Sequence, residues 1–153
     1  MSALAQKLAD MAAHVGEEIG VSAWLPVEQD RIALFAEATS DYSAVHLDRA
    51  VAAEAGFDDT FAQGFLTLAM LMRLQDGIVP LPEEMKGGFN YGLERVRFLS
   101  PVMRGARIRG RFRLLALEEA RPGAWRRTLG VTVEIEGQEK PALSAEWIGF
   151  YLV

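Results

Sequence analysis

Cysteine is absent from the 153 residues, so the chain has no disulfide framework, no thiolate nucleophile and no Cys-ligated zinc site. Histidine is almost as scarce, with two residues, which argues against a histidine-rich metal centre. Acid outweighs base, 21 Asp and Glu against 16 Lys and Arg, and the net charge of −5 has the wrong sign for a dedicated nucleic-acid binder. Long apolar runs are missing too. The longest, "GFLTLAMLM" from Gly64 to Met72, falls far short of the ~20 residues that span a bilayer. The N-terminal "MSALAQKLADMAAHVG" has the small residues of a signal peptide, but Lys7 and Asp10 interrupt it and it reads as a short amphipathic helix. Together these absences imply a cytoplasmic protein with no membrane segment and no nucleic-acid partner.

What is present suits one compact domain spanning residues 1–153, with half of the chain hydrophobic and about a quarter charged. No internal repeat, low-complexity tract or linker divides it, but the two halves differ in period. In "VEQDRIALFAEAT", Ile32, Phe35, Ala36 and Thr39 recur at the spacing of one helical face. A second short helix, "RAVAAEA", is expected after a cap at Asp48 and a stop at Gly56. The third runs from about Phe65 to about Asp76, apolar on nearly all sides until Arg73, as a helix buried in a core would be; Gly77 and Pro80 end it.

From Gly88 onward the period shortens to that of strands. In "RIRGRFRLLAL", Arg107, Arg109, Arg111 and Arg113 alternate with Ile108, Gly110, Phe112 and Leu114. "FNYGLERVRFL", "WRRTLGVTVEIEG" and "PALSAEWIGFYLV" are similar, separated by turn-forming Gly and Pro. A group of helices followed by antiparallel strands gives an α+β domain in which a long apolar helix packs against a sheet. The arginine stripe reads first as the solvated outer face of that sheet; its alternative role is to attract the phosphates of a nucleotide-bearing substrate.

One short stretch, "SDYSAVHLD", carries Asp41 and His46 on the loop after the first of these helices, and Gly64 stands just before the buried one. Taken singly, each has an ordinary structural role: Asp41 as a cap, His46 as a satisfied surface residue, Gly64 as a helix start. Taken together, an acid, an imidazole and backbone N–H groups at a helix start are the parts of a proton-transfer site acting beside a carbonyl.

These residues, with "SDYSAVH", "AQGFLTLAML" and "NYGLERVRFLSPV", resemble the MaoC-like dehydratases and (R)-specific enoyl-CoA hydratases, and within them the nodulation-protein-N-like subgroup, from about Trp24 to the C-terminus. The chain departs from the family pattern at Ser40, where glycine is common, at Ser43-Ala44, where Asn-Pro is common, and at Gln63, where histidine is usual. The resemblance implies a hot dog fold, an antiparallel sheet wrapped around a long central helix. It also implies a hydro-lyase of fatty-acyl metabolism that adds water reversibly, in syn fashion, to a trans-2-enoyl thioester to give the R product. Asp41 and His46 would hold the water and the Gly64 N–H would face the thioester oxygen. Gln63 and Asn90 would contact substrate, and Arg95 and Arg97 the phosphates of coenzyme A, which enters as the substrate's carrier; no metal or redox cofactor is implied. The expected assembly is a homodimer. Two other classes share these residues: a hot dog thioesterase using Asp41 or Glu54, and a non-catalytic acyl-CoA-binding subunit.

Overall fold

The computed structural model describes residues 3–153. Helix α1 (Ala3–Ala12) realises the amphipathic N-terminal segment by burying Leu4 and Leu8; Met1 and Ser2, which that expectation also took in, lie outside the described residues. Strands β1 (Glu18–Val21) and β2 (Leu25–Pro26) follow, then α2 (Gln29–Thr39), a single 3₁₀ turn (Ala44–His46) and α3 (Arg49–Glu54). Asp48 caps α3 as its sequence position suggests, its carboxylate accepting from the N–H groups of Ala50 at 2.8 Å and Val51 at 3.3 Å.

The apolar segment expected as one helix from Phe65 to Asp76 forms two helical pieces, α4 (Gly64–Ala69) and α5 (Leu71–Leu74), meeting at Met70. The axis barely breaks, because the Met70 N–H still bonds the Leu66 carbonyl and the Leu74 N–H bonds that of Met70. Beyond it the chain tightens into bonds three residues apart, Asp76 to Arg73 and Ile78 to Gln75, so the helix closes short of Asp76. Leu66, Met70, Leu71 and Leu74 are buried, but Phe65 remains 68 % exposed and Met72 49 %. One apolar flank of the central helix therefore has no cover among the described residues.

Strands β3 (Gly87–Phe98), β4 (Arg107–Arg121), β5 (Ala124–Ile135) and β6 (Leu143–Leu152) complete a six-stranded antiparallel sheet in the order β1-β4-β5-β6-β3, with β2 also on β4. Alternation decides which side chains face the helices: Ile108, Phe112 and Leu114 of β4, Leu129, Val131 and Val133 of β5, and Leu143, Ala145 and Trp147 of β6 all turn inward. Full burial of each large aliphatic among them contributes about 1.5–3 kcal/mol.

The arginine stripe takes the outer face. Arg109 lies opposite Glu134 in register and pairs with it; Arg111 reaches Glu18 at 3.0 Å and Glu134 at 3.3 Å; Arg107 pairs with Glu136 at 3.2 Å; Arg113 donates to the Gly16 carbonyl. Acids on β1, β5 and the turn after β5 thus neutralise Arg107, Arg109 and Arg111 on that outer face. Among the described residues no helix is long and apolar enough to cross a membrane, and no group of three or more His, Cys, Asp or Glu is placed to hold a metal ion.

Candidate active site

The loop that carries Asp41 and His46 begins where α2 ends. Ser40, its C-terminal cap, adopts φ 58 and ψ 26, a left-handed conformation that turns the chain out of the helix and presents Asp41. The carboxylate accepts from the Ser43 N–H at 3.3 Å. The Ser43 hydroxyl foremost, then this N–H, and more weakly the neighbouring His46 imidazole hold the Asp41 carboxyl below the usual carboxylate range. Asp41 is therefore a carboxylate, an acceptor only, at neutral pH.

His46 closes the 3₁₀ turn and is half-buried. Its Nδ1 lies 2.7 Å from the Phe61 carbonyl oxygen. A carbonyl only accepts, so Nδ1 carries a proton, and in the neutral form of the ring the lone pair is on Nε2. The Phe61 ring packs edge-on against the imidazole with centroids 4.9 Å apart. Behind the loop, Gln29 donates to the His46 carbonyl at 2.9 Å and accepts from the buried Thr60 hydroxyl at 2.6 Å. Residues 60–62 are in turn tied to the segment before β4, through a Phe61–Met103 bridge and an Ala62 N–H bond to the Val102 carbonyl at 2.8 Å. Gln29, Thr60 and Phe61 escaped the sequence reading because they act across 15 to 31 residues of chain; Gln29 at a helix start was the one local hint.

Gly64 opens α4, and as a first helical residue its N–H has no acceptor within the helix. A Cβ at this position would meet the Phe98 ring at 3.1 Å, so only glycine fits without moving that ring. Gln63 turns inward: it is 2 % exposed, its Nε2 donates to the Ile32 carbonyl at 3.1 Å, and its Oε1 is buried without a partner. Its amide ties the start of α4 to α2.

A cavity of about 540 Å³ runs between α2, the central helix and β3, lined by Phe35, Thr39, Phe65, Met72, Asn90 and Trp147 among others. Thr39 stands two residues before Asp41 and Phe65 directly follows Gly64. Asn90 lines this cavity with its Oδ1 accepting from Trp147 Nε1 at 3.0 Å. Arg95 and Arg97 lie on the bulged stretch of β3, Arg95 with φ 53 and facing Glu146 at 3.6 Å, Arg97 donating to the Val96 carbonyl; both are exposed. Glu54 is exposed at the end of α3.

The sequence and the fold have known relatives. The family model described as MaoC like domain matches residues 10–135. Nodulation protein N of Rhizobium leguminosarum bv. viciae is 46 % identical over 143 residues, covering 92 % of this chain and 88 % of its own. The 3-hydroxyacyl-thioester dehydratase Z of Mycobacterium tuberculosis (strain ATCC 25618 / H37Rv) is 42 % identical over 147 residues, covering 96 % of this chain and 97 % of its own. Among solved structures, the (R)-hydratase from A. caviae involved in PHA biosynthesis superposes with a TM-score of 0.70 at 25 % identity, over 87 % of this chain and 95 % of that one. The sheet, the central helix and these likenesses make the fold a hot dog, and the chain belongs to the MaoC-like dehydratase family.

Proposed function

We propose that this protein is a hydro-lyase, an (R)-specific enoyl-thioester hydratase and 3-hydroxyacyl-thioester dehydratase. The observation that carries the reading is the Nδ1–H bond of His46 to the Phe61 carbonyl, which leaves Nε2 of the neutral ring as an acceptor on the same loop as an ionised Asp41. Two acceptors on one loop suit one water molecule, which has two protons to give. In the hydration direction, water oxygen bonds to C3 of a trans-2-enoyl thioester while a water proton passes to the Asp41–His46 pair. The electron pair of the double bond moves toward the thioester carbonyl, and a proton from the same pair then reaches C2. Charge on the thioester oxygen falls to the Gly64 N–H, in a setting where such fixed donors stabilise a transition state more than water does. Because one pair of groups serves both carbons from one side, addition is syn. In this reading coenzyme A is the carrier, Arg95 and Arg97 are its phosphate contacts, Asn90 orients the acyl chain, and no metal or redox group takes part.

The assembly we propose is a homodimer in the cytoplasm. Strand β3 is an edge strand of 12 residues with one neighbour, and Phe89, Tyr91, Leu93 and Phe98 on it, with Phe65 and Met72 beside them, are exposed. An unpaired edge with so much apolar surface marks a contact site, and a second copy would cover the open side of the cavity. Sedimentation equilibrium measures the mass, and a monomer at working concentration would refute the dimer.

The activity is tested by hydrating crotonyl-CoA, following loss of the conjugated enoyl absorbance, and offering the product to dehydrogenases specific for each 3-hydroxyacyl enantiomer. Wild-type product is consumed by the R-specific enzyme. Asp41→Asn and His46→Ala each lower turnover by about 10²- to 10⁴-fold with thermal melts retained. Near-wild-type turnover in either variant, or consumption by the S-specific enzyme, would overturn the assignment, and release of free coenzyme A would replace it with a thioesterase.

A further inference from the structure

Strand β5 contains the adjacent pair Arg126 and Arg127, and strand alternation sends them to opposite faces. Arg126 goes outward to Glu118. Arg127 goes inward and is 3 % exposed. No carboxylate among the described residues pairs with it. Its one hydrogen bond runs from NH1 to the Tyr151 hydroxyl at 2.9 Å, and its Nε is buried with no partner. Burial holds the Tyr151 phenol above its ordinary range, with the attraction of Arg127 only partly opposing it, so the phenol is neutral and supplies no counter-charge. The guanidinium carbon lies 4.8 Å from the centre of the Trp147 ring and 5.4 Å from that of Tyr151, a partial compensation from two aromatic faces.

The space for this cation is built. It packs over Gly149, where a Cβ would meet its NH2 at 3.1 Å. It lines a cavity of about 230 Å³ together with Gln75, which is 5 % exposed and whose Oε1 is also buried without a partner. That cavity shares Met72, Asn90 and Trp147 with the larger apolar cavity between α2, the central helix and β3, so the two adjoin. On the other side of Arg127, Glu17 and Glu18 line a separate hollow, but Glu17 is held by His14 and Glu18 by Arg111. A buried cation without a paired carboxylate is a strong electrostatic demand, and it lines a cavity that adjoins the larger apolar one.

We infer that Arg127 is a specificity-determining residue at the distal end of the acyl channel, which receives acyl chains ending in a carboxylate. The inference rests on the acyl-thioester reading of the preceding subsection and names the substrate class within it. A terminal carboxylate would accept from the guanidinium, and the Gln75 amide would border it, while a terminal methyl would leave the charge unpaired.

Binding is measured by calorimetry with a matched pair of saturated medium-chain acyl-CoAs, one ending in a methyl group and the other in a carboxylate, neither of which the enzyme can turn over. The expected result is about 10- to 100-fold tighter binding of the carboxylate-ended thioester at one or more lengths from hexanoyl to dodecanoyl, as charge-assisted hydrogen bonds give. In Arg127→Met that preference disappears, and it disappears equally in Arg127→Gln, which removes the charge but keeps a hydrogen-bonding side chain and serves if the first variant does not fold. Equal affinities for the pair at every length in the wild-type protein, or a preference that survives Arg127→Met, would overturn the inference. Crotonyl-CoA, which has no terminal carboxylate, is assayed alongside. Turnover without discrimination sinks this inference alone, and discrimination without turnover sinks the proposed reaction alone.

Discussion

Ser40 sits in the left-handed region at φ 58, exposed at the C-terminal cap of α2. For an L-residue this conformation costs about 1–2 kcal/mol, whereas glycine adopts it freely. Against that gain stands the larger entropy that glycine loses on folding, about 0.5–1 kcal/mol. The balance predicts that Ser40→Gly stabilises the protein by roughly 0.5–1 kcal/mol, and at roughly 2–4 °C per kcal/mol for a chain of this size the melting temperature rises by roughly 1–4 °C. A control of opposite sign lies two residues earlier. Ala38 is exposed inside α2, so Ala38→Gly lowers stability by about 1 kcal/mol. Urea unfolding reads both changes through the midpoint, with the slope unchanged if only the native state is affected. The turn that presents Asp41 is kept, so hydration by Ser40→Gly stays at the wild-type rate. A midpoint that falls in Ser40→Gly as it does in Ala38→Gly would refute the reasoning, because the backbone at residue 40 would then not need the left-handed region.

The Asp41 carboxylate owes its lowered pKa first to the Ser43 hydroxyl, so Ser43→Ala raises it toward the ordinary value; a carboxyl-carbon NMR titration follows the residue directly, and an unmoved curve would exclude that cause. The sign for stability follows: the contribution of Asp41 is present above the unfolded carboxylate range and is lost as pH falls through its lower folded pKa, so Ser43→Ala loses it at a higher pH than wild type. At Gly64, an added Cβ meets the Phe98 ring at 3.1–3.2 Å, so Gly64→Ala lowers both melting temperature and turnover, and adding Phe98→Ala restores part of the melting temperature. If the second substitution restores nothing, the contact with Phe98 is not what requires glycine there.

Local rules carried much of this fold. The alternation of Ile108, Phe112 and Leu114 with arginines assigned both faces of β4, and Asp48 signalled the start of α3 before any partner was known. The apolar run after Gly64 read as fully buried because composition cannot distinguish a face covered by the same chain from one left bare, and Phe65 and Met72 are bare. What pairs with the arginine stripe was likewise hidden, since Glu18 and Glu134 lie 93 and 23 residues away from Arg111. In the site, Asp41 and His46 were legible as a spacing; the groups that orient them were not, because a carbonyl such as that of Phe61 leaves no trace in side-chain chemistry. Arg127 could have been found. Two adjacent arginines on a strand with a core on one side cannot both face water, and that signal lay in "WRRT".

The departures from the family pattern acquire a physical meaning once the hydrogen bonds are traced. Three of them fall at Ser40, Ser43 and Gln63, yet the contacts on which the proposed chemistry depends are made in large part by backbone: the Phe61 carbonyl for the His46 tautomer, the Ser43 N–H for Asp41, and the free N–H of Gly64 for the thioester oxygen. Side chains at these positions act one step removed. Serine at 40 reaches the left-handed turn at an energetic cost, Ser43 adds a hydroxyl to a carboxylate already capped by its N–H, and Gln63 points its amide to the Ile32 carbonyl, away from the loop. A site built this way tolerates exchange of the neighbours so long as the turn, the bridge between Phe61 and Met103, and the glycine at the helix start persist. The same logic locates where substrate preference is free to vary: in side chains that line the cavities, among them the buried Arg127, which pairs with no carboxylate among the described residues.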